Sequence, residues 1–286
     1  MVHGRVAALF NSSFYIETEA GFVCIGNEDI EPSPLNLVTT APAGTNWPAS
    51  GLRLNENVTV CANTVGVGNR FSFLMSSACT WSPKLVSGWG ILDLERGIKK
   101  FRGAAANHVG PGGLGSWLIP GFQPRREQRV YTRAKKPMAE LQQWLIAALR
   151  NPDKRIVLDA KAVHPLIGLG PGLTPSGDDL IGGMMIALNA VGETGICRQL
   201  WELVRPGAEN ASNPISCAHL KAASHGEGSE AIHRALSAVL KGCPLEIQNC
   251  LSGIDHIGHT SGWDIMAGVV IALESWFEAR TSQAGS

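Results

Sequence analysis

Residues 176–188 read SGDDLIGGMMIAL and residues 261–273 read SGWDIMAGVVIAL, so one stretch of this chain recurs without gaps near its C-terminus. Ser, Gly, the second Asp, Gly, Ile, Ala and Leu match between the copies, which points to an internal duplication. Each copy is a polar start followed by an apolar run long enough to be a core helix. Each also repeats small residues four apart, Gly183 with Ala187 and Gly268 with Ala272, on one helical face. The pattern predicts two helices packed closely about a pseudo-twofold axis, with their glycine-rich starts converging on one pocket.

The starts carry the chemistry. Residues 168–179 read GLGPGLTPSGDD, a loop of glycine, proline and hydroxyl residues that opens the first helix. Gly168, Gly170, Gly172 and Gly177 permit backbone conformations and close approaches denied to other residues, and Thr174 and Ser176 are the capping candidates. A helix start of this kind leaves amides free for a phosphate or carboxylate. The anion-binding candidates are therefore Gly170, Gly172, Thr174, Ser176 and Gly177 in the first copy, and Thr260, Ser261 and Gly262 in the second. A P-loop is excluded because no lysine follows the glycines, and G-x-G-x-x-G fails at Leu173.

Asp179 and Asp264 occupy matched positions in the first helical turn, where the helix dipole favours a carboxylate. Together with Asp178 they are candidate ligands for a hard cation such as Mg²⁺ bridging to phosphate. The adjacent charges of Asp178 and Asp179 strengthen that expectation, since like charges repel unless something positive relieves them. A purely structural alternative stands beside it: capping needs one such Asp, and a Gly/Ala stripe serves ordinary helix packing.

His256 and His259 flank Gly258 just before Thr260, and an acid–base or oxyanion-stabilising role falls to His259. Asp179 and Asp264 join it as catalytic candidates. His164 precedes Pro165 near the first loop, while His219 and His225 are expected to be structural. A second glycine cluster, Asn107 to Ser116, is expected to be a mobile surface loop rather than a cover for a ligand. No Ser/His/Asp order and no reactive-cysteine context stands out.

The remainder sets the frame. Phe14–Thr18 and Phe22–Ile25 flank Glu19-Ala20-Gly21 as a hairpin, with further strands expected at Val58–Cys61, Phe71–Leu74 and Ile91–Leu94. Pro124 to Pro137 is basic and proline-bounded, expected as a linker or a solvated edge strand through Val130-Tyr131. Beyond it the spacing is helical: Leu141, Trp144, Leu145, Ala148 and Leu149 share one face, and Ile232, Ala235, Leu236, Val239 and Leu240 another. Further helices are expected over Gly195–Arg205, stopped by Pro206, and after Ser212-Asn213-Pro214. The fold class is α+β, with a mostly β domain over 1–125 and a mostly α domain over 126–286 that carries the duplicated motif. With 44% hydrophobic residues in 286, the chain can bury a substantial core. Lys+Arg and Asp+Glu are both 24, so no net charge draws it to nucleic acid or an anionic membrane. Small anions and protein partners fit better. Seven scattered cysteines without a C-x-x-C pair, and an N-terminus lacking a signal-peptide pattern, lead to the expectation of a cytoplasmic protein.

GPGLTPSGDD followed by LIGG, and GHTSGWD followed by IMAG, resemble the paired motifs of the AllH-type family, which includes a subunit of oxamate carbamoyltransferase from anaerobic allantoin catabolism. The resemblance covers residues 168–188 and 256–273 and extends through the intervening helices; nothing is carried over for residues 1–125. It implies transfer of a carbamoyl group between oxalurate and phosphate, giving oxamate and carbamoyl phosphate, in a complex with two other subunit types. Two further readings stay open: a stand-alone Mg²⁺-dependent phosphate or nucleotide enzyme, and a non-catalytic assembly subunit of a purine or allantoin catabolic complex.

Overall fold

A computed structural model describes residues 1–283 apart from 85, 126, 127, 153 and 155. The chain separates into two compact units, Met1–Ser82 and Pro83–Ser286.

The first unit is a curled seven-stranded sheet in the order β4-β3-β2-β1-β5-β6-β7. Its strands are β1 (Val2–Leu9), β2 (Ser13–Thr18), β3 (Gly21–Gly26), β4 (Asn36–Val38), β5 (Asn57–Cys61), β6 (Thr64–Val67) and β7 (Phe71–Leu74). The period-2 alternation sends Phe14 and Ile16 of β2 into one core with Val6, Ile25, Val58 and Val67. Trp47 closes that core, its ring set edge-on to Phe14 at 5.1 Å and its indole N–H donating to Ser12 O at 3.0 Å. The hairpin expected around Glu19-Ala20 forms with Thr18 paired to Gly21, and Gly21 takes φ +121°, a conformation suited to glycine. Four expected strands are present. β1, β4 and β6 are additions; the central β1 is concealed by a register shift between Val6 and Ala8 that breaks its alternation.

The second unit is helical: α1 (Ile91–Ala105), α2 (Arg129–Arg150), α3 (Ala160–Val163), α4 (Ser176–Ala190), α5 (Thr194–Ala211), α6 (Pro214–Ser224), α7 (Glu230–Lys241), α8 (Pro244–Asp255) and α9 (Ser261–Gln283). Three sequence expectations are corrected here. Ile91–Leu94 begins α1 rather than forming a strand, because Asp93 accepts the Gly90 N–H at 3.0 Å and Leu94, Ile98, Phe101 and Ala105 then form one buried face. The stretch expected as a linker or edge strand is largely the start of α2, which runs through Val130-Tyr131 and carries Pro137 buried within it. Likewise α5 does not stop at Pro206 but continues to Ala211. A helix survives an internal proline when packing outweighs the one missing hydrogen bond.

Other helical expectations are present as read. Leu141, Trp144, Leu145, Ala148 and Leu149 are buried on α2, and Ile232, Ala235, Leu236, Val239 and Leu240 on α7. Asn213 caps α6 by accepting the Ile215 N–H at 2.9 Å, with Pro214 in the first turn. The division expected at 125/126 abuts residues outside the described set, and the residues on both sides of it belong to the second unit, since α1 is a helix of that unit.

At the centre lies α4, every residue of which from Ser176 to Leu188 is buried. A helix apolar on all sides needs neighbours on all sides, and the most extensive of its contacts is with α9. Among the described residues no helix is long and apolar enough to cross a membrane.

Candidate functional site

The duplicated helices meet through their matched glycines. A Cβ added at Gly183 would stand 1.9 Å from Ile265 O, and one at Gly268 would stand 1.8 Å from Leu180 O. Gly183 aligns with Gly268 and Leu180 with Ile265, so the two contacts are one contact seen from either side of a pseudo-twofold axis. At the helix starts the symmetry is partial: Asp179 and Asp264 bond matched carbonyls, whereas Gly177 and Gly262 bond carbonyls at different distances back along the chain. Gly177 N–H donates to Leu169 O at 2.9 Å and Asp179 N–H to Pro175 O at 3.0 Å; in the second copy Gly262 N–H donates to Ile257 O at 3.0 Å and Asp264 N–H to Thr260 O at 2.9 Å.

Consequently the two starts lie side by side. Thr174 Oγ1 and Ser261 Oγ are 3.0 Å apart. The Asp179 side chain interacts with the hydroxyls of Ser261, from the opposite copy, and Thr174; the Asp264 side chain interacts with Ser176, again from the opposite copy, and with Thr260. Each helix start thus serves the carboxyl of the other. Ser176 therefore does not cap its own helix: Pro175 precedes α4 and no side chain caps it, because the hydroxyls are turned across the interface.

Burial raises the pKa of both carboxyls. Asp179 lies well above the ordinary aspartate value: desolvation comes first, and the neighbouring charges of Asp264 and Asp178 add to it. Asp264 is raised by desolvation too, opposed by Ser176, Thr260 and the amides of Leu114 and Gly115. One oxygen of each, Asp179 Oδ2 and Asp264 Oδ2, is buried without a hydrogen-bond partner. Two such oxygens are acceptors suited to a proton or a small cation.

Asp178 is different. Its Oδ1 accepts the Gly168 N–H at 2.8 Å, and its Oδ2 accepts the hydroxyls of Ser216, at 2.7 Å, and Ser212. Those bonds occupy both of its oxygens and tie the glycine loop to α6. Among the described residues no group of three His, Cys, Asp or Glu side chains is placed to hold a metal ion.

The loop from Asn107 to Ser116 is not the free surface loop that its composition suggests. Gly113, Leu114, Gly115 and Ser116 are buried, and the N–H groups of Leu114 and Gly115, the latter at 2.8 Å, converge on Asp264 Oδ1. A Cβ at Gly113 would stand 2.3 Å from both Asp264 oxygens, and one at Gly112 would stand 3.3 Å from Thr260 Cγ2. Glycine is required where backbone lies against a carboxylate. The signal was in the sequence: Leu114 stands among the glycines, and Trp117 and Leu118 follow directly, all groups that seek a core.

Three glycine-rich loops therefore meet at one end of the α4–α9 pair. The inner layer holds Asp179, Asp264, Thr174, Ser176, Thr260 and Ser261. Gly177 and Gly262 let the preceding chain close on each helix, with added Cβ atoms only 1.9 Å from Leu166 O and 2.2 Å from Ile254 O. Gly170, at φ +126°, lies against Ser176 N; Gly172, at φ +96°, is exposed at the rim together with Pro171, Gly258 and His259. His259 is thus at the site's edge, not in the buried layer. His256 bonds Ser252 O at 2.5 Å and closes α8, and His164 is exposed beside Gly207 of α5. His225 bonds Lys221 O at 3.0 Å at the end of α6, and burial lowers the pKa of His219 to about 4.

Comparison with known families matches the model described as oxamate carbamoyltransferase subunit AllH to residues 166–273. That segment starts just before the first glycine loop and ends on the last residue of the second copy, so it contains both helix starts. Over those residues the chain is similar to that family, and the motifs at 168–188 and 256–273 fall inside the matched segment. No solved structure matches the chain.

Proposed function

We propose that this AllH-type chain is a subunit of a carbamoyltransferase-type complex, and that the end of the α4–α9 pair is where it handles small anions. The observation that carries the reading is the coincidence of the family match over 166–273 with the paired, mutually bonded helix starts. The reaction is transfer of a carbamoyl group between oxalurate and phosphate, giving oxamate and carbamoyl phosphate. Both substrates are anions, and the rim supplies glycine-rich backbone at two helix starts, suited to phosphate and carboxylate oxygens. Backbone donors fixed before the reaction also favour oxyanion charge as it develops at the carbamoyl carbon. His259 on the rim is a candidate donor to that charge, while Asp179 and Asp264 beneath it fix the two starts in register. A divalent cation such as Mg²⁺ would be held by Asp179 and Asp264, whose Oδ2 atoms lack partners. It would supply positive charge to bound phosphate.

A second reading, a non-catalytic assembly subunit, draws on the depth of the carboxyls: Asp264 is 0% and Asp179 8% exposed, and such burial suits a structural clasp. One experiment separates the two. The chain assembled with its partner subunits is supplied with oxalurate and phosphate, and carbamoyl phosphate is measured. The first reading expects product from the complete complex and at least tenfold less from His259→Ala, roughly the loss of one charge-stabilising contact. A complete complex without product would sink it; full activity in the variant would leave His259 without a role.

A further inference from the structure

The glycine loop that clasps Asp264 also carries a histidine that the sequence did not single out. His108 follows α1, and its Nδ1 lies 2.8 Å from Asp255 Oδ2 at the end of α8. Asp255 is itself fixed, because its Oδ1 accepts the indole N–H of Trp263 at 2.8 Å. Trp263 stands in the first turn of α9, at the position matching Asp178 in the other copy, and its ring lies 6.0 Å from that of His108. Both carboxylate oxygens of Asp255 are thereby committed. A carboxylate oxygen at Nδ1 can only accept, so it favours the tautomer with the proton on Nδ1, and Nε2 makes no hydrogen bond among the described residues.

Such a pair has chemical consequences. A carboxylate on Nδ1 selects the tautomer whose Nε2 accepts a proton, and it stabilises the imidazolium formed when Nε2 does so. His108 is about one-third exposed, with a side-chain exposure of 30%, so solutes reach it. Its loop runs on to Gly112, packed against Thr260, and to the Leu114 and Gly115 amides on Asp264. The imidazole therefore belongs to the same end of the α4–α9 pair as the candidate anion site.

We propose that His108 is the acid–base residue of that site, held in its working tautomer by Asp255 as a positioning residue. This rests on the carbamoyl-transfer reading. A hydrogen phosphate dianion gives its hydroxyl proton to His108 Nε2 as its oxygen bonds to the carbamoyl carbon of oxalurate. The imidazolium then returns that proton to the amide nitrogen as the carbon–nitrogen bond breaks. Oxamate leaves with an intact NH₂ group, carbamoyl phosphate remains, and no proton is gained or lost overall.

The test uses the complex assembled with its partner subunits. His108→Ala lowers kcat for carbamoyl phosphate formation about 100-fold or more, leaves KM for phosphate within about threefold, and regains activity with added imidazole. Asp255→Asn lowers kcat as well, and Asp255→Glu restores part of it. An active wild-type complex with an equally active His108→Ala overturns the role of His108 alone. A wild-type complex that makes no carbamoyl phosphate overturns the underlying reading, and this step with it. Should the alanine variant fail to fold, wild-type complex treated with diethyl pyrocarbonate provides the alternative measurement. Modification mapped to His108, slowed by phosphate plus oxalurate and proportional to lost activity, supports the proposal; modified His108 with full activity overturns it.

Discussion

Replacing Gly268 with alanine tests the α4–α9 contact at its tightest point. The new Cβ would stand 1.8 Å from Leu180 O, 2.8 Å from Leu180 C and 3.0 Å from Met184 N, all backbone atoms of α4. Ordinary contact begins near 3.4 Å, so the helices must part locally by about 1.6 Å, the difference of the two distances. Overpacking of a core costs about 1–3 kcal/mol, and a clash with helix backbone, which cannot change rotamer, belongs at or above the upper end. Alanine returns up to about 1 kcal/mol of helix propensity, leaving a net loss of about 2 kcal/mol or more. Gly182→Ala is the internal control. Its Cβ would meet Ala223 Cβ at an ordinary 3.6 Å, so propensity alone acts and the variant is neutral or slightly more stable. The two variants should then differ by about 3 kcal/mol, a gap of roughly 6–12 °C in Tm for a unit of this size. Urea and thermal unfolding read both quantities. Because Gly183 makes the mirror contact with Ile265 O, the double variant Gly183→Ala/Gly268→Ala should cost less than the sum of its parts, the helices having separated once already. If Gly268→Ala were as stable as Gly182→Ala, the close crossing would be refuted.

Three further outcomes follow from the site. The native state holds Asp179 and Asp264 with raised pKa values, so it keeps protons that the unfolded chain releases. Their favourable contribution is therefore complete below the unfolded value of about 3.9 and is lost as pH rises through the raised native values. Asp179→Asn removes that loss, and its urea midpoint should gain on the wild type as pH rises above the unfolded aspartate value; a pH-independent difference would contradict the burial argument. Asp178→Ala strands the Gly168 N–H and the hydroxyls of Ser212 and Ser216, and should cost about 3 kcal/mol or more by chemical denaturation. Gly113→Ala drives a methyl group into both Asp264 oxygens; it should speed hydrogen exchange at the Leu114 and Gly115 amides, and unchanged exchange would show that the loop has room to give.

Much of this architecture was legible because symmetry leaves a trace in sequence. The ungapped match between 176–188 and 261–273 carried the helix pairing, the close-packed glycines and the matched Asp179 and Asp264. Strands with clean alternation, such as Phe71–Leu74, were equally readable. What escaped depended on partners distant in the chain. Ile91–Leu94 reads Ile-Leu-Asp-Leu, too short to reveal a period, and only continuation through Ile98 and Phe101 onto a neighbouring helix marks it as α1. Pro206 is a local helix breaker overruled by packing on both sides of it. The loop from Asn107 to Ser116 read as mobile because glycine content says nothing about the carboxylate that waits 150 residues away at Asp264. His108 was hidden for the same reason: Asp255 and Trp263 give it meaning only when α1, α8 and α9 come together.

The central claim is that three loops, 107–115, 168–176 and 256–262, form one site for small anionic substrates. Hydrogen exchange measured by mass spectrometry on the assembled complex, with and without phosphate and oxalurate together, tests it most directly. The account predicts substrate-dependent protection in peptides from all three loops, with little change in β1–β7 or in the far end of α9. Protection confined to other segments of this chain, or none at substrate concentrations that support turnover, would contradict it.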